Sequence, residues 1–102
     1  PALVARLANP DDTSLQFALL VTLARYHVQT GDPGAAIASL TAALKLQPSD
    51  FVTRFQLARN YEWQEDTDRA REVYRDLLAP DAGLSRGMRK LVRRQMAGLA
   101  AD

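Results

Sequence analysis

Three arginines, Arg25, Arg59 and Arg93, follow one another at intervals of 34 residues. A guanidinium presents forked N–H donors that match a carboxylate. An arginine repeated at a fixed period suits a set of anion-binding groups, or ion pairs with Glu62 and contacts with water, better than a reaction centre. Other residues with chemical potential are poorer candidates. His27 is the sole histidine and falls in the apolar stripe of a helix, where a packed imidazole explains it better than a base or a ligand. Glu62, Glu65, Asp66 and Asp68 crowd one turn. They lack the Asp-rich loop spacing of a calcium hand, and a helix end with a solvated loop accounts for them better than an acid–base pair. The chain holds no phosphate-cradling glycine loop and no Ser–His–Asp arrangement. With no cysteine, disulfides and thiolate metal sites are excluded. The residues predict no enzyme, no metal and no cofactor.

The elements that must position those arginines are all helical. Between Thr13 and Thr30, Leu20, Leu23, Ala24 and His27 recur with the spacing of one helix face. Thr13 with Gln16 resembles a capping box, and Asp11 and Asp12 stand where the helix dipole favours anions. Gly31-Asp32-Pro33 closes that helix and opens a second, with proline suited to a first turn. Small residues fill this second helix at Gly34, Ala35, Ala36, Ala38, Ala42 and Ala43, which implies a neighbouring helix at close range. Pro48 stops it, and Ser49 or Asp50 caps a third helix from Phe51 to about Gln64. Asp66 or Thr67 opens a fourth that runs to about Ala79. Pro80 to Gly83 breaks the chain before a fifth, over roughly Leu84 to Leu99. No segment alternates apolar and polar residues as a half-buried strand does.

The chain has 102 residues, 47% hydrophobic and 25% charged, which is ordinary for one globular domain. No apolar run is long enough to span a membrane, and the start carries no signal-peptide pattern. Beginning at Pro1 rather than methionine, it reads as a piece of a longer protein. Alanine richness and arginine in preference to lysine suggest a bacterial source. The formal charge of +1 is uneven. Residues 1–80 carry eight Lys/Arg against ten Asp/Glu, whereas residues 81–102 carry five against two. The basic end is a solvated face or a guide for an acidic partner. Its stretch from Arg86 to Arg94 has no aromatics for base stacking, so it offers nucleic acid at most a weak, salt-sensitive phosphate contact, and no nucleic-acid partner is expected.

A slide of 34 residues places Leu23 on Leu57, Ala24 on Ala58, His27 on Tyr61, Ala36 on Ala70, Leu40 on Tyr74 and Ala43 on Leu77. A second slide places Leu57 on Leu91 and Ala58 on Val92. Such a period is the mark of a helical repeat. The chain resembles the tetratricopeptide repeat, a helix–turn–helix of this length. The residues that carry the likeness are Leu20, Leu23, Ala24, His27, Ala36, Leu40, Ala43 and Pro48 in one repeat, then Arg54, Leu57, Ala58, Tyr61, Ala70, Tyr74 and Leu77 in the next. It extends from about Phe17 to Pro80, and the last helix keeps the stripe of a first helix. The resemblance implies an all-α, right-handed α-α superhelix of two helix–turn–helix repeats, with an N-terminal stub and a C-terminal capping helix. A single domain is expected over 1–102: a lead-in at 1–12 (Leu3, Val4 and Leu7 available to pack), repeats at 13–48 and 49–80, and a cap at 81–102. Within it Ala24 should meet Ala36, and Ala58 should meet Ala70. Departures are Arg54 in place of a large aromatic, Glu65 where Gly31 keeps the turn glycine, Pro80 two residues early compared with Pro48, and Pro10 four residues farther from the next repeat.

The resemblance also implies where a partner would lie. First helices line the concave side of such a stack. Their exposed faces here hold Ala18, Val21, Arg25 and Val28, then Val52, Phe55, Arg59 and Glu62, then Arg86, Arg89, Arg93 and Met96. Trp63 extends the stripe of Phe55, Arg59 and Glu62. The expected partner-binding set is Val21, Arg25, Val28, Phe55, Arg59, Glu62, Trp63, Arg89 and Arg93. Apolar groups beside an arginine row suit an extended or helical peptide bearing carboxylates. One subset of the family grips a chaperone's C-terminal carboxylate with lysines and asparagines. Val21, Arg25 and Gln56 stand in those places, so that function is not carried over. The rival expectation is a homodimer that buries Phe55, Trp63 and Met96.

Overall fold

The computed structural model describes residues 12–99. Among these described residues five helices follow one another: α1 Thr13–Gln29, α2 Pro33–Leu46, α3 Phe51–Trp63, α4 Thr67–Leu78 and α5 Arg86–Ala97, with a 3-10 turn at Pro80–Ala82 before the last. No described helix is long and apolar enough to cross a membrane. The expected lead-in, with Leu3, Val4, Leu7 and Pro10, lies outside the described residues apart from Asp12.

Short polar side chains start every described helix. Asp12, Asp32, Asp50 and Asp66 accept from the N–H groups of Leu15, Ala35, Thr53 and Arg69 at 3.1, 3.1, 3.0 and 3.3 Å. Ser85 accepts from Met88 at 3.2 Å. Each satisfies a donor that has no partner within its helix. The first cap is thus Asp12 rather than Thr13, which corrects the expected capping box. A carboxylate there also meets the positive end of the helix. The last helix is shorter than expected because Ser85 caps it, after Gly83 reverses the chain in the left-handed region at φ 73°.

The turn inside each hairpin is built twice on one plan. Asp32 N–H donates to the His27 carbonyl and Gly31 N–H to that of Val28, while Asp66 and Glu65 do the same towards Tyr61 and Glu62. This paired pattern needs one residue with positive φ after the helix. Gly31 takes it at 80° and Glu65 at 62°.

Packing follows the period. One core cluster joins Ala24, Ala36, Leu40 and Leu57. A second joins Ala58, Ala70, Tyr74, Leu77 and Val92. The alanine pairs therefore sit together within their clusters, where helices cross too closely for larger side chains. The first-helix stripe is not buried equally along the stack. Leu57 is 8% exposed, but its counterparts Leu23 and Leu91 are 44% and 39% exposed. Leu57 lies between two hairpins, whereas Leu23 and Leu91 belong to the outermost described helices. His27, expected in an aromatic core slot, is only half-buried for the same reason.

Candidate functional site

Residues from α1, α2 and α3 enclose a groove of about 250 Å³, lined by Ala24, Arg25, Val28, Leu40, Gln56, Arg59 and Asn60. Its position follows from the local sequence. Alanine at position 24 lets α1 approach α2, and Leu40 of α2 fills the space between the first helices without closing it. Arg25 and Arg59 stand at equivalent places in the two repeats. One period of chain therefore brings both to the same opening.

The two arginines are not equivalent electrostatically. Arg59 Nε lies 3.9 Å from Glu62 Oε2. That carboxylate is held from behind by the buried hydroxyl of Tyr74, which donates to it. Burial, reinforced by the Glu62 carboxylate, pushes the Tyr74 phenol well above its ordinary range, while Arg59 pulls weakly the other way. Arg25 has no carboxylate partner among the described residues. A further polar group lies deeper. Asn60 is 6% exposed, donates from Nδ2 to the Gln56 carbonyl at 2.9 Å, and keeps Oδ1 buried without a partner among the described residues.

Of the expected partner-binding residues, Arg25, Val28 and Arg59 line this groove. Glu62 stands behind Arg59. Val21 is half-buried on α1, outside the lining. Phe55 is committed elsewhere: its ring stacks on Phe51 at 5.7 Å and tilts against Tyr74 at 5.9 Å. Trp63 is exposed at the end of α3. Arg89 is half-buried and Arg93 exposed on α5, and neither lines the groove with Arg25 and Arg59.

Ala24 and Leu40 read in sequence as core and prove also to floor the groove. Asn60 gave no signal, because its partner is a main-chain oxygen and its burial depends on the neighbouring hairpin. The acidic crowd beside Trp63 has ordinary work. Asp66 caps α4 and lies 3.5 Å from Arg69, and Asp68 lies 3.7 Å from Arg71. No group of three metal-binding side chain types gathers among the described residues. The ring of His27 meets Tyr26 edge-on at 5.6 Å.

A family model described as tetratricopeptide repeat matches residues 27–92, well over half of the chain. The chain belongs to the tetratricopeptide repeat family. No curated protein and no solved structure matched it. Tetratricopeptide repeats are in general protein–protein interaction modules and typically non-enzymatic. The match begins inside α1 and ends inside α5, so it takes in the groove residues from Val28 to Asn60, while Ala24 and Arg25 lie just before it.

Proposed function

We propose that this repeat domain is a non-enzymatic interaction module that holds an acidic segment of a partner polypeptide in the groove between α1 and α3. One observation carries the reading: Arg25 and Arg59 line a single apolar-floored opening, and Arg25 has no carboxylate partner among the described residues. A carboxylate entering there gains forked, charge-assisted hydrogen bonds in a site partly shielded from water. The competing homodimer reading is less well supported, since Phe55 and Met96 pack against the core cluster and leave Trp63 as the exposed member of that set.

The test uses a fluorescein-labelled, acetylated Asp-Ala repeat peptide. Charge reversal by Arg25→Glu or Arg59→Glu should weaken its binding at least about tenfold, the equivalent of about 1.4 kcal/mol. Helical content by circular dichroism should stay unchanged, because both side chains are exposed. Equal affinity for the variants and the parent protein would remove the groove reading.

A further inference from the structure

We infer that the outer side of α5 rests on the surface of an anionic lipid bilayer. This surface is separate from the groove and does not depend on what the groove holds. The helix lies on the bilayer rather than across it, since no described helix is long and apolar enough to span one.

The helix is one-sided in charge. It carries Arg86, Arg89, Lys90, Arg93 and Arg94, and no acidic residue stands between Asp81 and Leu99. None of the five makes an ion pair among the described residues. At about 100° per residue they fall within one arc of about 140°. Val92, fully buried, points the other way, into the cluster it shares with Tyr74 and Leu77. Gly87, Lys90 and Arg94 lie opposite Val92, and a Cβ placed on Gly87 would meet nothing within 4 Å. The outer side is open as well as basic.

Helix stability does not explain this placement. Arg86 and Arg89 stand in the opening turn, at the positive end of the helix dipole, and no acid offsets them there. An external anion relieves that conflict. Shape and the border of the arc select the kind of anion. The grooves that begin at Ala24, Ser49 and Leu57 take no lining residue from α5, so the helix offers a ridge rather than a cleft for a peptide. Leu91 and Met88, 39% and 41% exposed, follow Arg94 round the helix in steps of about 60°. A bilayer receives cations at its headgroups and apolar tips just beneath them. A nucleic acid duplex supplies the phosphates without that apolar layer.

The experiment is cosedimentation of the protein with vesicles of phosphatidylcholine alone and of an equal mixture with phosphatidylglycerol. The mixed vesicles should bind at least about tenfold more tightly, and that margin should collapse as salt rises from about 0.05 M to about 0.5 M. Lys90→Glu and Arg94→Glu should each weaken binding at least about fivefold, whereas Arg25→Glu, an equal change in net charge placed on α1, should cost less than about twofold. Circular dichroism should show all three variants as helical as the parent. A second readout needs no charge reversal: in a Trp63→Phe background, Leu91→Trp should shift its emission to the blue on the mixed vesicles only. The inference falls if the two kinds of vesicle bind alike, if Arg25→Glu loses as much as Arg94→Glu, or if Leu91→Trp keeps its aqueous emission on bound vesicles. Duplex DNA retained where the mixed vesicles are not would overturn it in favour of a nucleic acid.

Discussion

Glu65 occupies a backbone conformation that suits a different residue. Its φ of 62° matches the 80° of Gly31 at the equivalent place, yet a side chain there crowds the following carbonyl by about 1–2 kcal/mol. Glycine relieves this and returns part of the gain through a freer unfolded chain. Glu65→Gly should therefore stabilise the domain by about 0.5–1 kcal/mol and raise Tm by about 2–8 °C. A thermal scan showing a lower Tm would mean that Glu65 makes a compensating contact. Tyr74 carries a pH signature. Its folded phenol stays protonated above the ordinary value of 10.0, whereas the unfolded chain releases that proton. A raised folded value means that this stability is complete below about pH 10 and is lost as pH rises further, with a limiting slope of about 1.4 kcal/mol per pH unit. Urea unfolding between about pH 9 and about pH 11 should show the decline, and Tyr74→Phe should flatten it. A slope unchanged in the variant would place the titration elsewhere. Neither the Tyr74–Glu62 bond nor the buried amide of Asn60 was legible in the sequence. Both depend on side chains from different helices, or from a helix and its own backbone, meeting at a depth that periodicity does not report.

At the scale of the element the sequence was far more readable. Apolar spacing, the Gly-Asp-Pro turn and the aspartates before the first four described helices marked those elements, because these are local signals with local causes. Errors were confined to ends: Asp12 rather than Thr13 caps α1, and Ser85 delays α5. The close crossing of paired helices was legible too, since only a near neighbour explains alanine at both members of each contact. Ala36 and Ala70 are fully buried in clusters that also hold Ala24 and Ala58. Ala36→Leu or Ala70→Leu should accordingly cost about 1–3 kcal/mol through overpacking. A fall in Tm of several degrees is the expected result, and an unchanged melting curve would deny the close contact.

At the scale of the molecule, the described residues measure 51 × 31 × 18 Å, the elongated form of a stack in which each hairpin touches only its neighbours. What the sequence could not supply at this scale was context. Leu23, Leu57 and Leu91 are one residue type at one repeat position, yet their burial differs because it depends on which helices flank each one. The same limit applies to the arginine row. The period predicted three in line; the groove joins Arg25 and Arg59, and Arg93 is not among its lining residues, which come from α1, α2 and α3. Tyr61 and Val73 pack against both core clusters. Through them the two halves share side chains rather than merely abut, so loosening one removes support from the other. In a linear array, that shared border is the coupling energy that decides whether units melt singly or in concert. Cooperativity in this domain therefore resides in that tyrosine and valine together with Leu57, which joins the first cluster from the second hairpin, and a fragment cut between the hairpins would forfeit it.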